Sequence, residues 1–380
     1  MYAINKEVPV GKFIGGIMKI EKLMMMALVV TSLNCGNLLM AERNGGNARV
    51  IPVSIYGNDD RQDVVDSAWN MQALSGSVAA LFPDYSLLKD TGTGSYSLVS
   101  TATLGSLRGM AAGQRFTDQV AAAPCSGALV GDDLIFTAGH CIMESQIGFF
   151  DCAKDKVAFG FAVTENGGSA PKEFPQKDVY GCKEIVSWKL DAATQSDFAV
   201  IKLDRKVRGR MPLAINREDD LEVGDGVFVI GYPSGLPIKV AGNAKVRSMP
   251  ADAPYFNTDL DTFHGNSGSP VFNARTFRIE GILVRGDNDY VSTSSGTMTA
   301  IFPQDEGRGE DVTRISEIKD LLPVTILERY LDSKERNDSK PAPAAKPLPQ
   351  LDFSGSDAPS VQPAVYYPDP APSRVETMEI

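Results

Sequence analysis

Histidine is nearly absent from this chain: His140 and His264 are the only two in 380 residues. No CxxC pair occurs either, so a zinc site has weak support in the sequence, and no metal or other cofactor is expected. Cations are in deficit, with 37 Lys and Arg against 48 Asp and Glu and a formal net charge of −11. Phosphate binding needs clustered Lys and Arg, so a nucleic-acid partner is excluded. Long apolar runs are missing as well. The stretch LMMMALVVTSL at 23–33 is too short to span a bilayer, and no transmembrane segment is expected. No internal repeat is present.

That short apolar run follows Lys19 and Lys22, the pattern of an export signal. A signal peptide over 1–41 is expected, with Met18 as the suspected start of synthesis, Met1 as the alternative, and cleavage after Ala41. The alternative is a lipid anchor at Cys35, although Ser32 and Asn34 fit a lipobox poorly. The expected location is secreted or periplasmic, with an outer-surface lipoprotein as the alternative. Once Cys35 leaves with the signal, the five cysteines reduce to Cys125, Cys141, Cys152 and Cys182. An even number in an exported chain points to two bridges, and sequence alone permits three pairings.

What is abundant is glycine (35) and proline (23), with short runs rich in Val, Ile, Thr and Phe between them. Such texture favours many short strands joined by turns. Residues 42–73 read as a leading arm or propeptide and LSGSVAALF (74–82) as a first strand. Residues 91–109 read as a loop or hairpin. From Cys125 the strands quicken through CSGALV, DLIFTAG, KVAFGFAV, DFAVIKL, GVFVIGY, GSPVF and RIEGILV. SEIKDLLPVTILERYL (316–331) is expected to hold a helix near its start, limited by Pro323. One domain over 74–334 follows, and 335–380 is a Pro-rich tail whose composition cannot offset the entropy of ordering.

The chemistry centres on DTFHGNSGSP (261–270). A nucleophilic Ser needs an exposed hydroxyl and main-chain amides aimed at the developing oxyanion. Glycines beside Ser267 allow that turn, with Gly265 and Ser267 as the amide donors. A strand follows the motif rather than a helix, which disfavours an α/β-hydrolase elbow. His264 is near in sequence but sits where a side chain would line the rim. His140, in LIFTAGHC, follows an apolar strand on a tight turn and makes the better base. Asp197 opens the apolar run DFAVIKLD and would need a partner there, which an imidazole supplies. Asp191 and Asp204 are the nearby alternatives.

CSGALVGDDLIFTAGHC, SDFAVIKLD and GNSGSP, in that order, together resemble a trypsin-like (chymotrypsin-fold) serine protease over roughly residues 74–330. Within that family NSGSPVFN is similar to the bacterial glutamyl-endopeptidase branch. The resemblance implies an all-β fold of two antiparallel six-stranded barrels, with the active site in the cleft between them. It further implies catalysis by His140, Asp197 and Ser267 on protein or peptide substrates, and a bridge between Cys125 and Cys141, which leaves Cys152 with Cys182. It departs from animal trypsins at Asn266, where they carry Asp, and in having no IVGG-like start. Val284 stands where trypsin has a Ser that helps hold the catalytic Asp.

Specificity is less determined. Asp261 matches by count the acidic residue at the base of the trypsin pocket, which implies Arg or Lys at the cleaved position. Thr262, Leu283, Val284, Arg285 and Gly286 are expected to line the substrate strand and pocket. Leu283 replaces the His that glutamyl endopeptidases place after GI, and Arg285 could neutralise Asp261 or meet an acidic substrate. A Glu-specific or apolar-specific endopeptidase therefore stays open. A secreted binding protein on a decayed protease fold is the alternative from another class.

Overall fold

The computed structural model describes residues 55–142, 150–218 and 220–338. The expected signal, Cys35, the first part of the leading arm and the tail beyond 338 lie outside the described residues.

Two barrels carry the fold. The first is built from β1 (Val78–Phe82), β2 (Cys125–Leu129), β3 (Leu134–Thr137), β4 (Lys156–Phe159), β5 (Val179–Leu190) and β6 (Asp197–Leu203). Each strand pairs antiparallel with the next in the order β5-β6-β3-β2-β1-β4, and β4 returns to β5 to close the ring. The second comprises β7 (Gly226–Gly231), β8 (Lys239–Ser248), β9 (Tyr255–Thr258), β10 (Pro270–Asn273), β11 (Ile279–Arg285) and β12 (Glu310–Arg314). Its order is β7-β10-β11-β12-β9-β8, closed by pairing of β7 with β8. The two six-stranded antiparallel barrels expected from the sequence are thus observed.

The strands form where short apolar runs can be covered. DFAVIKL in β6 is buried along nearly its whole length, as suits a strand packed on both faces. The outer half of β5 instead alternates between half-buried and exposed positions, the signature of one solvated face. Phe159, Phe161, Phe228, Ile230, Tyr232 and Phe272 join one continuous core that reaches from the first barrel into the second. Closure leaves few bare edges, which is how a chain of this composition avoids edge-to-edge pairing. Two disulfides, Cys125–Cys141 and Cys152–Cys182, tie loops of the first barrel.

Several local readings shift. The first strand begins at Val78, because Leu74 and Ser75 end a helix, α1 (Trp69–Ser75). Residues 91–109 hold part of a hairpin, Leu87–Lys89 with Tyr96–Leu98, and then α2 (Leu104–Arg108). Thr103 accepts the Ser106 amide as the α2 cap, and Gly109 ends it in the left-handed region. The C-terminal helix lies after Pro323, not before it: 3-10 turns occupy 315–321, and α3 spans Ile326–Asp338. Proline is compatible with a position ahead of a helix but not inside one. The leading arm is structural. Ile55–Tyr56 pairs in parallel with Ile301–Phe302, and Gln62–Asp63 adds a seventh strand beside β8.

Candidate active site

His140 sits in a 3-10 turn, Gly139–Cys141, directly after β3, and the Cys125–Cys141 bridge fastens that turn to the start of β2. Asp197 is the first residue of β6, which pairs with β3, so the two side chains are brought together by strand register. Ser267 comes from the second barrel, in the loop between β9 and β10. The cleft between the barrels is therefore where the three meet.

The geometry is close. His140 Nδ1 lies 2.8 Å from Asp197 Oδ2, and the His140 main-chain amide donates to Asp197 Oδ1 at 3.0 Å. His140 Nε2 lies 2.8 Å from the Ser267 Oγ. A proton on Nδ1 is the arrangement that a neighbouring carboxylate favours, and it leaves Nε2 free to accept from the Ser hydroxyl. Asp197 is buried, and the bonds to His140 offset the cost of burying its charge. The alternatives are occupied elsewhere. Asp191 accepts the Ala193 and Thr194 amides of a turn, and Asp204 accepts the Gly181 amide and pairs with Arg205.

The loop before Ser267 is held from several sides. Gly265 has φ +92°, a left-handed conformation, and a Cβ there would meet the Tyr232 carbonyl oxygen at 2.6 Å, so only glycine fits. The Ser234 amide donates to the His264 carbonyl at 2.6 Å, and the Gly265 N–H of that same trans peptide points the opposite way. Among the described residues neither the Gly265 nor the Ser267 amide has a protein acceptor. Two unspent amides beside the Ser267 hydroxyl make an arrangement that could receive an oxyanion.

Ser126 is a supporting residue that the sequence reading missed. Its hydroxyl donates to the Gly265 carbonyl at 2.8 Å and accepts the Tyr232 amide, while its own amide donates to the Ser267 carbonyl at 2.8 Å. It therefore clamps the loop that carries Ser267 to the first barrel. The one signal was its position next to Cys125, in a strand whose end must face the partner barrel.

His264 is exposed at the rim, as its place in the sequence suggested. Its amide and ring bond to Asp289, and Arg108 touches its other ring nitrogen, so it stands apart from the triad-like set. Arg285 does not meet Asp261. Its Nε pairs with Asp311 Oδ2 at 3.3 Å, and its Nη1 lies 3.9 Å from Asp197 Oδ2. Thr313 donates to the Asp197 main-chain oxygen, not to the carboxylate.

A cleft of about 340 Å³ beside Ser267 is lined by Thr262, Leu283, Val284, Arg285 and Gly286, the residues expected there, and further by Asp287, Asp289 and Glu310. Asp261 is not in that lining. Its carboxylate is buried against the arm and accepts the Tyr56 and Asp60 amides at 2.8 and 2.7 Å. Burial pushes its carboxyl up to about 7, against the pull of those two amides, and the nearby Asp59 and Asp60 add repulsion. A second, more apolar cavity of about 430 Å³ lies on the other side of His264, under Tyr85, Val99, Leu107 and Pro124. Among the described residues no group of three or more His, Cys, Asp or Glu is placed to hold a metal ion.

Comparison with known proteins identifies similar peptidases. Residues 125–282 match the trypsin-like peptidase domain family. A probable periplasmic serine endoprotease DegP-like of Ectopseudomonas mendocina is 31% identical over 144 residues, covering 37% of this chain and 29% of that protein. A glutamyl endopeptidase of Staphylococcus aureus is 27% identical over 154 residues, covering 40% of each chain. The chain thus spans less than half the length of these relatives. A solved glutamyl endopeptidase shares 17% identity over 75% of this chain and all of its own, with a TM-score of 0.39.

Proposed function

Taking as premise that the chain belongs to the trypsin-like peptidases, we propose that it is an exported serine endopeptidase working through Ser267, His140 and Asp197. The observation that carries this reading is the unbroken hydrogen-bonded path Asp197–His140–Ser267, with both links at 2.8 Å.

Ser267 Oγ attacks the scissile carbonyl carbon while His140 Nε2 takes its proton. Asp197 keeps the imidazole oriented and stabilises the imidazolium. The Gly265 and Ser267 amides receive the oxyanion. Collapse of the tetrahedral intermediate breaks the C–N bond, and His140 passes its proton to the departing amine. Water, deprotonated by the same imidazole, then attacks the acyl-enzyme and frees Ser267.

Arg or Lys at the cleaved position is the preference proposed. The cleft supports it through Asp287, Asp289 and Glu310, while its one arginine, Arg285, is engaged by Asp311. Export fits the two disulfides. Among the described residues no helix is long and apolar enough to cross a membrane.

A fluorophosphonate probe tests the central claim. Labelling that is lost in Ser267→Ala and in His140→Ala supports it. An unlabelled wild-type protein that still binds peptides would favour the binding protein instead.

A further inference from the structure

We propose that Glu310 selects the substrate side chain on the acyl side of the scissile bond, and that the group it takes is an ammonium or guanidinium. The inference rests on the peptidase reading above and assigns the charge of the pocket to β12, not to Asp261.

Ser267 and Glu310 line the same cleft, with Thr262 on one wall and Leu283 to Gly286 on another. Leu283 and Val284 are buried and apolar, so a side chain entering beside Ser267 runs along hydrocarbon before it meets a charge. That suits the long methylene stems of Lys and Arg, which bury their carbons and carry the charge at the tip. Gly286 keeps the way open. A Cβ at that position would lie 2.1 Å from Glu310 Oε2, so any other residue would cover the carboxyl or displace it.

The partners of Glu310 are incomplete for an ionised group. The Thr262 hydroxyl donates to Oε2, and the Tyr56 hydroxyl donates to Oε1 at 3.3 Å. Both are neutral. The arginines nearby in sequence and on the adjoining strand, Arg308 and Arg285, are each paired with Asp311. A buried carboxylate without a cation is costly, and burial pushes the Glu310 carboxyl well above the usual range. A cation delivered by the substrate would complete the site and release that cost. Asp261 cannot serve in the same way, since both its oxygens are committed to the arm.

The other carboxylates of the cleft are less suited. Asp289 holds the His264 amide and ring, and Asp287 bonds the Asn288 amide at a turn. Tyr56 gives the arrangement a second feature: the leading arm supplies one of the two hydroxyls on the selecting carboxyl.

The test compares Glu310→Gln, Glu310→Asp and Asp261→Asn in the full chain. Peptides with Lys, Arg, Leu or Glu before the scissile bond are assayed for kcat/KM. Gln has the same shape without the charge: its oxygen accepts one hydroxyl and its NH2 donates to the other, which then acts as acceptor. Losing a charged hydrogen bond should lower kcat/KM for Lys and Arg peptides about 10- to 100-fold, with Leu peptides changed less than about threefold. Basic preference that survives in Glu310→Gln, or that is lost only in Asp261→Asn, overturns the assignment. So does a wild-type enzyme with no basic preference.

Calorimetric binding of benzamidine to Ser267→Ala separates this from a failure of the peptidase reading. Amidine binding that requires Glu310, in a protein that takes no fluorophosphonate label, keeps the cation site and discards the peptidase. Labelling without amidine binding discards Glu310. Glu310→Asp keeps the charge and is expected to bind the amidine within about tenfold. That result shows that the Gln effect is not unfolding. Loss of amidine binding in Glu310→Asp with an unchanged melting temperature counts against the proposal.

Discussion

Asp261 and Tyr56, 205 residues apart, are joined by a 2.8 Å hydrogen bond from the Tyr56 amide to Asp261 Oδ1. The Asp60 amide takes the other oxygen, and the Arg61 guanidinium lies 4.0 Å from the centre of the Phe263 ring. Residues 261–263 lead straight into Gly265 and Ser267. The arm is thus fastened to the segment that leads into Ser267, the nucleophile proposed above. Trypsin-like zymogens order that segment with a new amino terminus; here Asn266 stands beside Ser267, and the Asn266 side chain accepts from Ser269 inside the loop.

Replacing Asp261 with Asn should loosen the arm. An amide side chain offers one acceptor where two amides now donate, so one buried donor is left unmet, at a cost of about 1–3 kcal/mol. The pH dependence has a definite sign. The carboxyl titrates near 7 in the fold and near its ordinary value when unfolded, so the folded state binds the extra proton between those limits. Stability from this group therefore falls as pH rises through that window. The stability gap between wild type and Asp261→Asn, measured by denaturant unfolding, should narrow from pH 4 to pH 8. A gap that widens would mean that the ionised form is the favoured one.

His140→Ala and His264→Ala should separate sharply, since only one imidazole contacts both Asp197 and Ser267. Removing His140 should cut kcat by about 10³-fold or more, as loss of a triad member does. Removing His264, which bonds Asp289 and Arg108 at the rim, should change kcat by less than about tenfold. Steady-state kinetics on one peptide amide decides it. Comparable losses would mean that both histidines touch the reacting atoms.

The parts of this site legible in the sequence were those fixed by short-range grammar. TAGHC, an Asp at the head of an apolar run and GNSGSP are each recognisable within a few residues; many short strands point only to a sandwich or barrel, and the two-barrel form was what the family resemblance implied. Glu310 was missed for the opposite reason. Its neighbours Tyr56 and Thr262 lie 254 and 48 residues away, so nothing local marks it as buried in a cleft. Asp261 matched a count, but the partners that claim its oxygens come from the arm, whose route sequence could not give. Ser126 was hidden in the same way, because its hydroxyl serves a loop 139 residues distant.

The Cys125–Cys141 bridge should matter to turnover more than its place in the fold suggests. It ties the His140 turn to β2, whose next residue, Ser126, holds the Gly265 and Ser267 carbonyls. Substituting both cysteines with Ala frees the turn at one end and closes no 16-residue loop in the unfolded chain. A loop of that length is worth about 3 kcal/mol in chain entropy. The double variant should unfold at lower denaturant and lose kcat more than KM. The Cys152–Cys182 pair, which does not adjoin His140, Asp197 or Ser267, should affect stability alone. Equal kcat losses from both pairs would show that the first has no special part in placing His140.

Lys239 anchors the far end of the arm and gives the last expected outcome. Its ammonium is buried, 2.6 Å from Asp63 Oδ1 and 2.7 Å from Gln119 Oε1, and it also donates to the Pro237 carbonyl. Burial still brings its titration down to about 8, because desolvation outweighs the pull of Asp63. Between that value and its unfolded value the unfolded chain binds more protons. Stability from this group therefore rises with pH through that window, opposite in sign to Asp261. Lys239→Met leaves Asp63 without its cation and should cost about 3–5 kcal/mol near neutrality. The deficit should not shrink as pH is raised from 8 to 10. Because β8 carries both Lys239 and the pairing with Gln62–Asp63, the arm should also become open to proteolysis in this variant. An arm that stays protected, with melting unchanged, would place its anchoring wholly on Asp261.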